Sequence, residues 1–189
     1  MIHKSPEQLR LNAEKSLVLA TALFPEEEWV ATEANIWVAK SRLAQEYKEP
    51  EKWDREMSQA RIMTSLGSVA YFLPEKTVEG EGMMRYADLA MDGEIVEMKT
   101  VAGTRATLGT QFKYGYKQGA MLVKDCIITK KHSVYVWMLS DISIGSAKAK
   151  IAGELKNRHD DGKFICYFEK IGELFEWTYE ELRSIITRK

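Results

Sequence analysis

The chain has 189 residues, 45% apolar and 29% charged, with a formal net charge of −1. That suits a soluble globular protein of one domain with a real core. Its longest apolar run, residues 16–24, is too short to cross a bilayer, so no membrane partner is expected. No charged stretch leads into an apolar segment with a small-residue cleavage site, so no signal peptide is expected either. Cys126 and Cys166 lie 40 residues apart without a CxxC partner. They read as free thiols of a cytoplasmic protein, against a cysteine zinc site. The small net charge hides an asymmetry: residues 1–90 carry 11 basic and 15 acidic side chains, residues 91–189 carry 16 and 13. In the window 99–163, 12 Lys and Arg face five acids. A phosphate backbone would be drawn to that excess, although a solvated lysine face explains it equally well.

Ser5-Pro6-Glu7-Gln8 is a helix start: Ser5 can cap, Pro6 fits the first helical position, and Gln8 completes a capping box. The helix is expected to run to about Phe24. Pro25 then opens an acidic run, Glu26 to Glu28, suited to the first turn of a second helix. Residues 29–44 fit helix and strand alike. Trp53, Met57, Ala60 and Met63 at helical spacing predict a helix over 50–66, stopped by Gly67. Residues 68–73 (SVAYFL) read as a short buried strand ended by Pro74, followed by the glycine-containing loop Glu79-Gly80-Glu81-Gly82. Two strands then flank Asp92-Gly93, a dipeptide favoured in two-residue hairpin turns. Beyond them come a helix over 107–122, a strand over 133–139, a helix over 146–159, a strand over 163–170 and a last helix over 179–187. That order predicts an α+β (or α/β) fold, a mixed central sheet flanked by helices. The expected division is an N-terminal helical extension, 1–49, and a main domain, 50–189.

If Asp92-Gly93 is the whole loop, Met91 faces Glu94, Ala90 faces Ile95, Leu89 faces Val96 and Asp88 faces Glu97. Lys99 lies two residues beyond Glu97 on the same face, because strand side chains alternate. Ala87, Leu89, Met91, Val96 and Met98 make an apolar set on the other. Two carboxylates opposed across strands repel each other. A divalent cation, a lysine or a retained proton relieves that repulsion. Mg²⁺ needs just one or two carboxylates and completes its shell with water and substrate phosphate. Lys99 could then serve an attacking water or the charge developing on phosphate. The bland reading is a surface ion cluster in which Lys99, Arg85 or Arg105 balances the acids.

The segment YADLAMDGEIVEMKT, residues 86–100, resembles the (P)D…(D/E)xK hairpin of the restriction-endonuclease-like superfamily. It is also similar to C-terminal nuclease domains of contact-dependent growth-inhibition and phage-associated polymorphic toxins, some of which have a barnase-, colicin- and RelE-like fold. The likeness covers about residues 50–175, through Gly67, Leu73-Pro74-Glu75, the hairpin, Gly103, Thr107, Phe112 and Gln118-Gly119-Ala120. Ala87 stands where the motif's proline would be. The resemblance implies a nuclease acting on RNA, tRNA included, or on DNA, with a cognate immunity protein as partner. It implies Asp88 and Glu97 as Mg²⁺ ligands, Lys99 as catalytic, and Thr107 and Gln118 as polar groups facing the substrate. Arg105, Lys113 and Lys117 are the candidate nucleic-acid contacts. Glu56 is either the extra acid of restriction-like sites or a solvated helix glutamate, the commoner case.

His132 and His159 invite a metal-free ribonuclease mechanism, although solvated histidines are the default among such neighbours. His3, near the terminus, is uninformative. Tyr114 and Tyr116, beside Lys113 and Lys117, either stack bases or pack half-buried. Most of the five tryptophans are expected in the core. Two alternatives therefore stand: a barnase/colicin-like ribonuclease using Lys99, Thr107 and a histidine or acid, and a non-catalytic nucleic-acid- or protein-binding module.

Overall fold

The computed structural model describes residues 4–75, 87–124 and 126–187. Arg85, His3 and the loop 79–82 lie outside them. Among the described residues the strands form one mixed sheet of eight, in chain order β1 to β8, so the fold is α+β. Helix α1 (Pro6–Leu23) starts as expected: Ser5 Oγ accepts from Gln8 N at 3.2 Å. After it the chain departs from expectation. The acidic run opens no helix. Residues 29–39 instead form an antiparallel pair, β1 (Trp29–Glu33) and β2 (Ile36–Ala39), turned at Asn35 with φ 63°. The β-branched and aromatic side chains of β2 are covered on both faces, which favours strand. The acids grip the segment after β2: Glu27 accepts from Ser41 N and Oγ at 3.0 and 2.7 Å, and Glu28 pairs with Lys40 at 2.7 Å. They thereby fix the 3-10 turn Lys40–Arg42. Residues 1–49 are thus more than a helical extension, since they supply two strands of the same sheet.

The short helix α2 (Gln45–Lys48) leads to α3 (Pro50–Ser65), which ends at Gly67 with φ 90°. α3 buries Trp53, Met57, Ala60 and Met63 against Phe72, Leu89, Val96 and Met98 on one face of the sheet. Burying each such large side chain stabilises by about 1.5–3 kcal/mol. α3 is also the crossover between the parallel strands β2 and β3 (Ala70–Phe72). The meander β3, β4 (Leu89–Met91) and β5 (Glu94–Val101) is antiparallel. Helices α4 (Arg105–Lys124) and α5 (Ile144–Leu155) make the parallel crossovers to β6 (His132–Met138) and β7 (Lys163–Phe168).

A strand not anticipated from sequence, β8 (Glu173–Thr178), turns back at Gly172 and pairs antiparallel with β7. Helix α6 (Tyr179–Thr187) closes the described chain. On the second face, α1 packs over β3 and β4 through Leu19 and Ala20, while α4, α5 and α6 pack over β6 and β7 through Phe112, Ile151 and Leu182. Trp53 is buried, and the other four tryptophans are half-buried. Among the described residues no helix is long and apolar enough to cross a membrane.

Candidate active site

The hairpin sets the geometry. Asp92 (φ 55°) and Gly93 (φ 89°) both occupy the left-handed region, as a two-residue type I′ turn demands. The pairing Leu89 with Val96, Ala90 with Ile95 and Met91 with Glu94 is the register read from sequence. One side chain departs from it. Ala87 packs with Ala90 and Ile95 rather than with Leu89 and Met91. The ladder begins at Leu89, so strict alternation does not reach back to Ala87. Asp88 therefore does not simply face Glu97 across the ladder. Its Oδ2 accepts from Met98 N at 2.8 Å, and its carbonyl accepts from Leu73 N at 2.8 Å.

Glu97 is 2% exposed. Lys99 Nζ donates to its Oε1 and, at 2.9 Å, to Gln118 Oε1 on α4. Glu97 Oε2 is buried and has no hydrogen-bond partner. Burial first, and the nearby charge of Asp88 second, push the Glu97 carboxyl well above the usual carboxylate range, with Lys99 opposing both. α4 comes this close because its sheet-facing side carries glycines. A Cβ on Gly115 would lie 3.1 Å from Glu97 Cγ and 3.0 Å from Val134 Cγ1.

In the other half of the pocket, sequence reasoning weighed Glu56 as an extra acid but missed Arg42, Lys52 and Glu75. Arg42, 3% exposed, places Nη2 2.7 Å from Glu56 Oε2 and 3.5 Å from Asp88 Oδ1. Its Nη1 donates to the carbonyls of Leu73 and Asp88 at 2.9 and 3.1 Å. Glu56 is 7% exposed, so it is no solvated helix glutamate. Burial and the charge of Asp88 raise its pKa, against the pull of Arg42 and Lys52. Together Arg42, Lys52, Glu56, Glu75, Asp88, Glu97, Lys99 and Gln118 line one pocket of about 150 Å³. No local pattern announces Arg42, because its partners lie 14 and 46 residues away.

The remaining candidates fall elsewhere. Thr107 is not among the residues lining this pocket. Its Oγ1 accepts from Thr104 N at 3.3 Å at the start of α4, a capping duty. Arg105, Lys113 and Lys117 are exposed along α4, outside the pocket lining, and Lys113 pairs with Glu154 at 3.1 Å. Tyr114 is exposed, whereas Tyr116 is core and donates to Asp160 Oδ2 at 2.7 Å. His132 is no solvated histidine: it is wholly buried, 3.3 Å from Asp160 Oδ2, and burial holds its pKa below the usual histidine value. His159 is exposed. Cys126 and Cys166 are both buried and unbonded.

Among the described residues no group of three or more His, Cys, Asp or Glu is arranged to hold a metal. Asp88 and Glu97 make a pair, however, and Mg²⁺ asks for no more than one or two carboxylates. Glu97 Oε2 is buried and has no hydrogen-bond partner, so it is the carboxylate oxygen here that a cation could ligate without displacing a bond. With Lys99 bonded to Glu97 and Gln118, and Lys52 beside Glu56, the pocket brings carboxylate oxygens and two lysine amines together. No protein family, curated protein or solved structure matches this chain.

Proposed function

We propose that the chain is a metal-dependent nuclease that hydrolyses phosphodiester bonds in the Asp88–Glu97–Lys99 pocket. The observation that carries this reading is Glu97: a buried carboxylate beside Asp88, with one oxygen on Lys99 and the other without a partner. A stabilising ion cluster would satisfy both oxygens. The two carboxylates would hold Mg²⁺, which when bound polarises a phosphoryl oxygen and lowers the pKa of a water ligand. Met98 N–H and Arg42 orient Asp88. Lys99, steered by Gln118, offers its ammonium to the attacking water or to the charge developing on phosphate. Exposed Arg105 and Lys117 extend the binding face along α4.

RNA, tRNA among it, is slightly favoured over DNA, a preference that rests on the resemblance to toxin nuclease domains alone. The setting that goes with the reading is a toxin or mobile-element nuclease of the cytoplasm, held in check by an immunity protein. Incubating the native chain and Lys99→Ala with total tRNA and with plasmid DNA, with and without Mg²⁺, tests it. The expected result is Mg²⁺-dependent cleavage by the native chain and a loss of about 10²-fold or more in the variant. Cleavage that survives EDTA and leaves a 2′,3′-cyclic end would select the metal-free ribonuclease instead. Binding without cleavage, unchanged in Lys99→Ala, would select a binding module.

A further inference from the structure

The geometry points to a pocket built for one divalent cation, with Arg42 standing permanently where a second would lie. This inference rests on the metal-dependent reading above. Four carboxylates, Glu56, Glu75, Asp88 and Glu97, line the pocket beside the cations Arg42, Lys52 and Lys99, and two of them, Glu56 and Asp88, flank Arg42. In two-metal phosphodiesterases the ions sit about 3.5–4 Å apart and clamp both the attacking and the leaving oxygen. Here the position between Glu56 and Asp88 is filled. Arg42 Nη2 lies 2.7 Å from Glu56 Oε2 and 3.5 Å from Asp88 Oδ1, the bridging place of an ion.

The guanidinium cannot readily leave. Its Nη1 is fixed to two backbone carbonyls, Leu73 at 2.9 Å and Asp88 at 3.1 Å, the residues just after β3 and just before β4. The Phe72 ring lies 5.0 Å from its central carbon, and the side chain is 1% exposed. Arginine also keeps its charge at every accessible pH, so no proton loss vacates the place. On the other side of Asp88 the situation is reversed. Glu97 Oε2 has no partner, and the only cation bonded to Glu97 among the described residues is Lys99, which Gln118 shares. That leaves Asp88 and Glu97 as the carboxylates for the single cation. Arg42 also comes from the segment following β2, so the first 49 residues supply part of the pocket's charge.

Counting bound Mn²⁺ by its free-ion spin-resonance signal, in a titration of the full chain without nucleic acid, tests the inference without reading activity. The native chain is expected to bind one ion. Glu56→Gln is also expected to bind one, because Glu56 holds Arg42 and not the metal. Arg42→Met vacates the second place, so its count should rise to two and return to one in Arg42→Met/Glu56→Gln. A native count of two that falls to one in Glu56→Gln overturns the inference and leaves the metal-dependent reading standing. A native count of zero overturns both. A folded Arg42→Met that still binds one ion overturns the claim about Arg42. Should that variant fail to fold, the native chain and Glu56→Gln decide between them.

Discussion

Glu97 buries a carboxylate beside another with one donor to hold it. A buried acceptor left unmade costs on the order of 1–3 kcal/mol. Burial and Asp88 raise the folded-state pKa of Glu97, so the folded chain holds this proton more tightly than the unfolded chain does. As pH rises from the unfolded value, about 4.3, toward the folded one, ionising Glu97 costs stability. Glu97→Gln removes that cost. In EDTA at neutral pH the variant should melt above the native chain, and the gap should close as the pH falls toward 4, where both side chains are neutral. For a chain of this length each 1 kcal/mol moves Tm by about 2–4 °C. Calorimetry across the pH range decides it, and a variant that melts lower at every pH would mean that the charge of Glu97 is not a burden on the fold. The residues of this pocket differ in how far sequence reveals them. Asp88, Glu97 and Lys99 sit within 12 residues around a recognisable turn. Arg42 meets Glu56 and Asp88 through a tertiary approach that no spacing rule anticipates.

At the scale of elements, the hairpin is legible because its information is local: Asp92-Gly93 demands one turn type, and the turn demands one register. β1 and β2 are not, because an acidic run after a proline is the ordinary mark of a helix start. Here the same acids serve Ser41 and Lys40 across a strand pair. Thr107 misleads in a related way, its local bond to Thr104 being a helix-start device. α4 joins the two levels. Its glycines let it lie against β5 and β6, which brings Gln118 to Lys99. Gly115→Val would drive a branched side chain into Glu97 Cγ and Val134, both buried. Overpacking of this kind costs about 1–3 kcal/mol, read as a lower urea midpoint at unchanged slope. Because the displaced helix carries Gln118, cleavage should fall by more than the folded fraction does. If the variant retains full activity at conditions where it is folded, the approach of α4 does not set the pocket.

At the scale of the whole molecule, the basic window 99–163 is less exposed as charge than its composition suggests. Lys150 pairs with Glu154 at 2.7 Å, Lys163 lies 3.7 Å from Glu94 and 3.6 Å from Glu176, and Lys130 spends its ammonium on backbone carbonyls. Lys113 is tied to Glu154 as well, while Arg105 stands exposed at the first residue of α4, beyond β5. A chain that binds single-stranded RNA through its cations releases condensed counterions, and log K falls with log salt by about 0.7 per phosphate neutralised. Arg105→Ala should therefore flatten that slope by about 0.7 for an unstructured RNA oligomer in EDTA. Lys113→Ala should leave it nearly unchanged, because the slope counts cations that contact phosphate and Lys113 is already engaged by Glu154. Anisotropy across a KCl series measures both slopes. Equal losses in the two variants would show that the Lys113–Glu154 pair opens toward RNA and that both lysine and arginine touch it. A native slope near zero would show that no cation of this chain neutralises RNA phosphate, and would remove α4 from the proposed nucleic-acid face.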